Sequence, residues 1–107
     1  MPTEFTARYA GQQNQKEMSC RDACFQTVDY LLRMGFRGLA EETDSLRIVF
    51  AKGKRKAAIS LGGPFDPFPS SYRFHLEGSG GSLIHGISGI FSDYGFSISN
   101  PRTYTTK

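Results

Sequence analysis

The chain has 107 residues, which bounds it to a single domain spanning 1–107, with roughly two-thirds of its unfolded surface buried in one modest core. Hydrophobic residues make up 38% and charged residues 21%, with nine Phe and five Tyr, a composition too apolar and aromatic for a disordered chain. The net charge of +3 permits nucleic acid or an acidic partner without requiring either. No run approaches the roughly 18 apolar residues of a membrane span, and Met1-Pro2-Thr3-Glu4 lacks the basic start of a signal peptide. The expectation is a soluble protein with no membrane partner, either cytoplasmic or delivered by a dedicated secretion route.

In chain order, Phe5, Ala7 and Tyr9 alternate with polar residues, which predicts a short strand over 3–9 before the polar loop 11–16. Ser19 reads as an N-cap with Asp22 three residues on, and Cys20, Ala23, Cys24, Val28 and Leu31 recur at helical spacing. A helix over about 20–34 follows, with Gly35 in the left-handed closing position and Phe36 folded back over the last turn. Leu46 to Ala51 and Ala57 to Leu61 read as a hairpin joined through the basic glycine turn Lys52-Gly53-Lys54-Arg55-Lys56. The loop 62–69 carries three prolines, and Tyr72, Phe74 and Leu76 alternate in a further strand. Segment 82–91 fits a helix face and a buried strand equally by period. Gly86 and Gly89, each costing a helix about 1 kcal/mol, together with the β-branched isoleucines, favour a strand. A turn at 92–95 then returns into a strand over 96–100, stopped by Pro101. The fold class expected is α+β, an N-terminal helix carrying the cysteine packed on an antiparallel sheet.

Two cysteines four apart are too few for a disulfide framework and poorly oriented to bond each other on one helix. Placed in the first turn, Cys20 would meet unpaired N–H groups and the helix dipole, which stabilise a thiolate. The hairpin expected over 83–100 pairs Ile87 with Asn100 and His85 with Arg102, which makes His85 and Asn100 diagonal neighbours on one face. An Asn oxygen there would accept an imidazole N–H and aim the other ring nitrogen at the thiolate.

The order of Gln13 to Cys24 on a helix start, then Ile84-His85-Gly86-Ile87, then Tyr94 to Asn100-Pro101, resembles papain-like cysteine peptidases. It is most similar to their compact bacterial type, related to bacteriocin-leader peptidases. The resemblance implies a minimal papain-like core and a Cys20, His85, Asn100 triad cleaving a peptide or amide bond through a thioester. It also implies an oxyanion-hole glutamine. Asn14 holds the family's slot six residues before the cysteine, so Gln13 and Gln15 both stand as candidates. No cofactor or metal is expected, and a deamidase or transglutaminase would use the same residues. A protein or peptide substrate and a cognate inhibitor or immunity protein are the partners this implies, as for a small bacterial effector or toxin domain.

Three other readings stand beside it. Cys20, Cys24, His75 and His85 would be the ligands of a zinc site, although the paired-cysteine knuckle is missing; His75 is also the second choice for the triad histidine. A helix, three strands and a possible second helix approximate a double-stranded-RNA-binding domain, with Leu83-Ile84-His85 where that family carries phosphate-binding lysines. Lys52 to Lys56 keeps a small basic nucleic-acid-binding domain in view. Finally, a non-enzymatic interaction or inhibitor module would present Phe65, Phe68, Tyr72 and Arg73 as its anchors.

Overall fold

The alternation in the first strand is realised at the centre of the fold rather than at its edge. In the computed structural model, which describes residues 2–44, 46–60, 69–78 and 81–103, β1 (Thr3–Tyr9) pairs with β5 (Ser71–Glu77), from Thr3 opposite Leu76 to Arg8 opposite Ser71. Between them in the chain lie a 3₁₀ turn (Gln13–Gln15), α1 (Lys16–Arg33), β2 (Arg37–Gly38), β3 (Arg47–Lys52) and β4 (Arg55–Ser60). After β5 come α2 (Gly81–Asp93), β6 (Phe96–Ile98) and β7 (Arg102–Thr103). The strands form one antiparallel sheet in the order β2-β3-β4-β5-β1-β6, with β7 also paired to β1. The protein is therefore α+β, with the cysteine-bearing helix packed on an antiparallel sheet and a second helix beside it. Among the described residues no helix is long and apolar enough to cross a membrane.

Helix α1 begins four residues before the expected start, because Lys16, Glu17 and Met18 are good helix formers and Glu17 both suits the N-terminal dipole and pairs with Arg21 at 3.2 Å. Its end follows the sequence closely. Gly35, at φ +93°, bonds back to the Leu32 carbonyl and the Phe36 N–H to that of Leu31, the paired closure of a helix ending in a left-handed glycine. Phe36 is buried with Leu31 in the core.

The segment expected as a strand over 82–91 is instead α2. Leu83, Ile87 and Phe91 stand at four-residue intervals and all three are buried, so one helical face supplies the core. Gly86, read from sequence as a helix breaker, is where α2 meets Tyr30 of α1: a Cβ there would run into the Tyr30 hydroxyl and ring. The tyrosine hydroxyl donates to the Ser82 carbonyl at 3.4 Å. Tertiary burial and the close approach that a glycine allows outweigh the propensity cost that favoured a strand.

Both helices cover one face of the sheet. Phe5, Ala7, Phe50, Ala57, Ile59, Tyr72, Phe74 and Leu76 point into that core. Their alternates Glu4, Thr6, Arg47, Lys56, Ser60, Arg73, His75 and Glu77 fall on the other face, which among the described residues no helix covers, although Val49 and Ala58 on it are buried where the 39–44 segment bonds to Val49 and Lys56. Phe91 is the hub of the core, edge-on to Phe74 at 5.1 Å and Phe96 at 5.0 Å and tilted on Tyr72 at 5.4 Å.

Candidate functional site

Cys20 lies in the second turn of α1, not the first, so its amide belongs to the helical ladder rather than to the unpaired N-terminal set. Its side chain is 0% exposed and sits 3.7 Å from the Pro69 carbonyl oxygen. Cys24, one turn on, is half-buried, and the Tyr72 hydroxyl from β5 hydrogen-bonds with both thiols. Burial pushes the Cys24 thiol above its ordinary pKa; the Tyr72 hydrogen bond opposes that shift and the neighbouring Cys20 adds to it. Burial likewise drives the Tyr72 phenol well above the usual tyrosine range, with the Cys24 and Cys20 contacts acting in the same direction. Neither cysteine is in a disulfide. Chemically this is a small polar layer of two thiols and a phenol between helix and sheet, closed from solvent at Cys20.

The residues expected to form a triad stand apart in the fold, Cys20 in the core and the other two at the surface. His85 is exposed on α2, beside the Gly86 that faces Tyr30. Tyr30 lies ten residues beyond Cys20 along α1, about 15 Å of helix axis. Asn100 follows β6 and lines a cavity with Glu4, Thr6 and Arg73 on the uncovered face of the sheet, whereas Cys20 lies under the opposite face. The shared face of His85 and Asn100 required a hairpin over 83–100. With 81–93 helical, β6 pairs with β1 instead, Ile98 opposite Ala7, and the alternation argument no longer relates the two residues. Gln13 and Gln15 are exposed in the 3₁₀ turn that precedes α1.

Of the residues expected at a partner surface, Phe65 and Phe68 lie outside the described residues. Tyr72 is 1% exposed and belongs to the core, so it cannot anchor a partner, while Arg73 next to it points to the uncovered face. His75 lies on that same face, across the sheet from the thiols. The order α1, β3, β4, β5, α2 does reproduce a helix, three strands and a helix. At the three positions where lysines would meet phosphate, however, Leu83 is buried, Ile84 is half-buried and only His85 is exposed.

Two surface features were not singled out from sequence. The first is on α1, where Met18, Phe25 and Leu32 are 68%, 67% and 53% exposed. They stand seven residues apart, about two helical turns, and so form one apolar seam on the solvent side. The spacing is legible in the sequence, but the stronger pattern from Cys20 to Leu31 draws attention to the opposite face.

The second is the uncovered sheet face, crossed by two adjoining cavities of about 530 and 400 Å³ that share Glu4 and Arg73 in their walls. His75 sits among them with both ring nitrogens 3.0 Å from carboxylates, Nδ1 from Glu4 and Nε2 from Glu77. Partial burial alone would lower its pKa; the bonds to Glu77 and Glu4 outweigh it and hold the value above the ordinary one. A raised folded-state pKa contributes stability that is fully present below the unfolded value of about 6.5 and is lost as pH rises through the folded value. The imidazole resonances should therefore titrate above that reference, and the stability of wild type relative to His75→Gln should fall across the same interval. A midpoint below the reference would mean that Glu4 and Glu77 do not hold His75 as an ion pair in solution.

No family model matches this chain, and a search of curated proteins returns no match either.

Proposed function

We propose that this chain is a non-enzymatic protein-interaction module that docks a partner along the solvent face of α1. The observation carrying this reading is the exposed seam of Met18, Phe25 and Leu32 on an otherwise amphipathic helix. Such a stripe gains little for the isolated fold, because more than half of each residue's surface stays in water on folding. Aromatic and methionine side chains are the types enriched at interface cores, where a flexible thioether and a flat ring fit many surfaces. The seam is flanked by the exposed ion pairs Glu17–Arg21 and Asp29–Arg33, which supply a polar rim around the apolar strip. A helix with apolar residues at matching heptad intervals is the partner geometry that fits such a strip.

The acyl-transfer reading suggested by the peptidase resemblance is the alternative, and it needs a thiolate within reach of an imidazole. It makes different demands on the same variants. Under the interaction reading, Phe25→Ser changes folding stability by no more than about 0.5 kcal/mol, as surface substitutions do. A photo-crosslinking phenylalanine analogue at position 25, in cells of the native host, should yield one discrete adduct that Leu32→Ser abolishes and that the same probe at Lys54 does not give. Phe25→Ser unfolding the domain, or crosslinking no different from that at Lys54, would reject the seam as the docking surface.

A further inference from the structure

The uncovered face of the sheet carries an unbalanced set of guanidiniums. Its acidic groups in the described residues have partners: Glu42 binds Lys56 at 2.9 and 3.1 Å, and Glu4 and Glu77 bracket His75, which leaves one carboxylate charge beyond a protonated imidazole to set against four guanidiniums. Arg8, Arg47, Arg73 and Arg102 make no ion pair with a carboxylate among the described residues. The register sets three of these in a pattern. Arg47 stands opposite Ser60, Ser60 opposite Arg73 and Arg73 opposite Thr6, and the Thr6 amide bonds to the Ser99 side chain. Arg102 stands opposite Glu4 one step along the same face. Arg47 and Arg73 are thus two strand spacings apart, about 9.6 Å, with the Ser60 hydroxyl between them.

We propose that this face binds an extended acidic peptide laid across the strands, with Arg73 at its centre and Arg47 and Arg102 towards its two ends. The adjoining cavities follow that line, one from Arg47 and Lys56 to Arg73, the other from Arg73 to Ser99, Asn100 and Arg102. From β3 to β6 the path covers four strand spacings, about 19 Å, which six extended residues span. Forked guanidinium donors match carboxylates in two-point contact, and Ser60, Thr6, Ser99 and Asn100 add neutral hydrogen-bonding groups for the peptide backbone. A single-stranded nucleic acid fits less well. Among the described residues no Phe or Tyr points outward from β1, β3, β4 or β5, so these strands offer bases no ring to stack on.

The site lies on the opposite side of the sheet from the α1 seam and does not depend on it. The test uses fluorescein-labelled hexaglutamate as probe, read by anisotropy at low salt, with amide chemical shifts to locate it. The expected result is saturable binding with the largest shifts at Thr6, Ser60 and Arg73. Arg73→Ala and, separately, Arg47→Ala should each weaken binding by about fivefold or more, with unchanged circular dichroism. Phe25→Ser and Lys54→Ala should bind like wild type. If Arg73→Ala misfolds, Arg47→Ala carries the comparison. Equal binding by wild type and both arginine variants, or shifts centred on the 52–55 turn, would overturn the proposal. Displacement of the peptide by a lower concentration of oligothymidylate of equal charge would replace it with a nucleic-acid site.

Discussion

Phe91→Ala should remove about 3–5 kcal/mol of folding stability, the cost of deleting a large aromatic side chain from a packed core. Domains of this size have about 5–15 kcal/mol in total, so the variant is expected at the edge of folding. The position is chosen because Phe91 is fully buried and touches three other rings, Tyr72 and Phe74 from β5 and Phe96 from β6. One truncation therefore loosens α2 from two neighbouring parts of the sheet at once. Urea denaturation of wild type, Phe91→Leu and Phe91→Ala measures it. Leucine should recover part of the loss, since it refills some of the cavity without restoring the edge-to-face contacts. A cost below about 1 kcal/mol for the alanine variant would mean that the helix does not dock through this residue.

Cys20 should be protected from iodoacetamide in the native protein, reacting at least about a hundredfold more slowly than in denaturant, because reagent reaches a buried thiol only through opening of the structure. The side chain is 0% exposed between α1 and the sheet, and Tyr72 and the Pro69 carbonyl surround the sulfur. Cys24 should label faster than Cys20 because it is half-buried, yet more slowly than a fully exposed thiol, since burial raises its pKa and lowers the thiolate fraction at neutral pH. His85→Ala should leave both rates unchanged, because His85 sits on the exposed side of α2, far along the helix pair from Cys20. Peptide mapping by mass spectrometry separates the two cysteines in one experiment. Fast, selective labelling of Cys20 that His85→Ala abolishes would restore the acyl-transfer reading and displace the interaction module. The outcome is thus informative about function as well as packing.

Most individual elements could be read from local pattern because their causes are local. The strand over Thr3–Tyr9, the hairpin around Gly53 at φ +60°, the alternation through Tyr72, Phe74 and Leu76, and the glycine closure after Met34 all emerge where the periodicity placed them. Helix α1 starts four residues before Ser19 would place it, because the longer helix from Lys16 leaves Ser19 inside its first turns rather than at its cap. That small shift matters chemically, since it moves Cys20 out of the first turn, where the helix dipole would favour a thiolate. Segment 82–91 differs more fundamentally, a helix where a strand is expected. Its apolar residues satisfy either period, and the deciding contact, Gly86 against Tyr30, joins residues distant in sequence.

Composition and local pattern by themselves determined an α+β chain with one core, its cysteine helix, its hairpin and the alternation that divides Tyr72 from Arg73. These follow from side-chain periodicity and turn chemistry acting over a few residues. Only the tertiary structure decided which residues share a surface. It placed Cys20 beneath the sheet, Asn100 above it and His85 on the far helix, and it gathered Arg47, Arg73 and Arg102 on one open face. The reason is that a site is a set of long-range adjacencies. With 81–93 helical, Phe96–Ile98 has no strand over 83–91 to pair with and is found on β1 instead, so every relation that depended on the expected hairpin is redrawn.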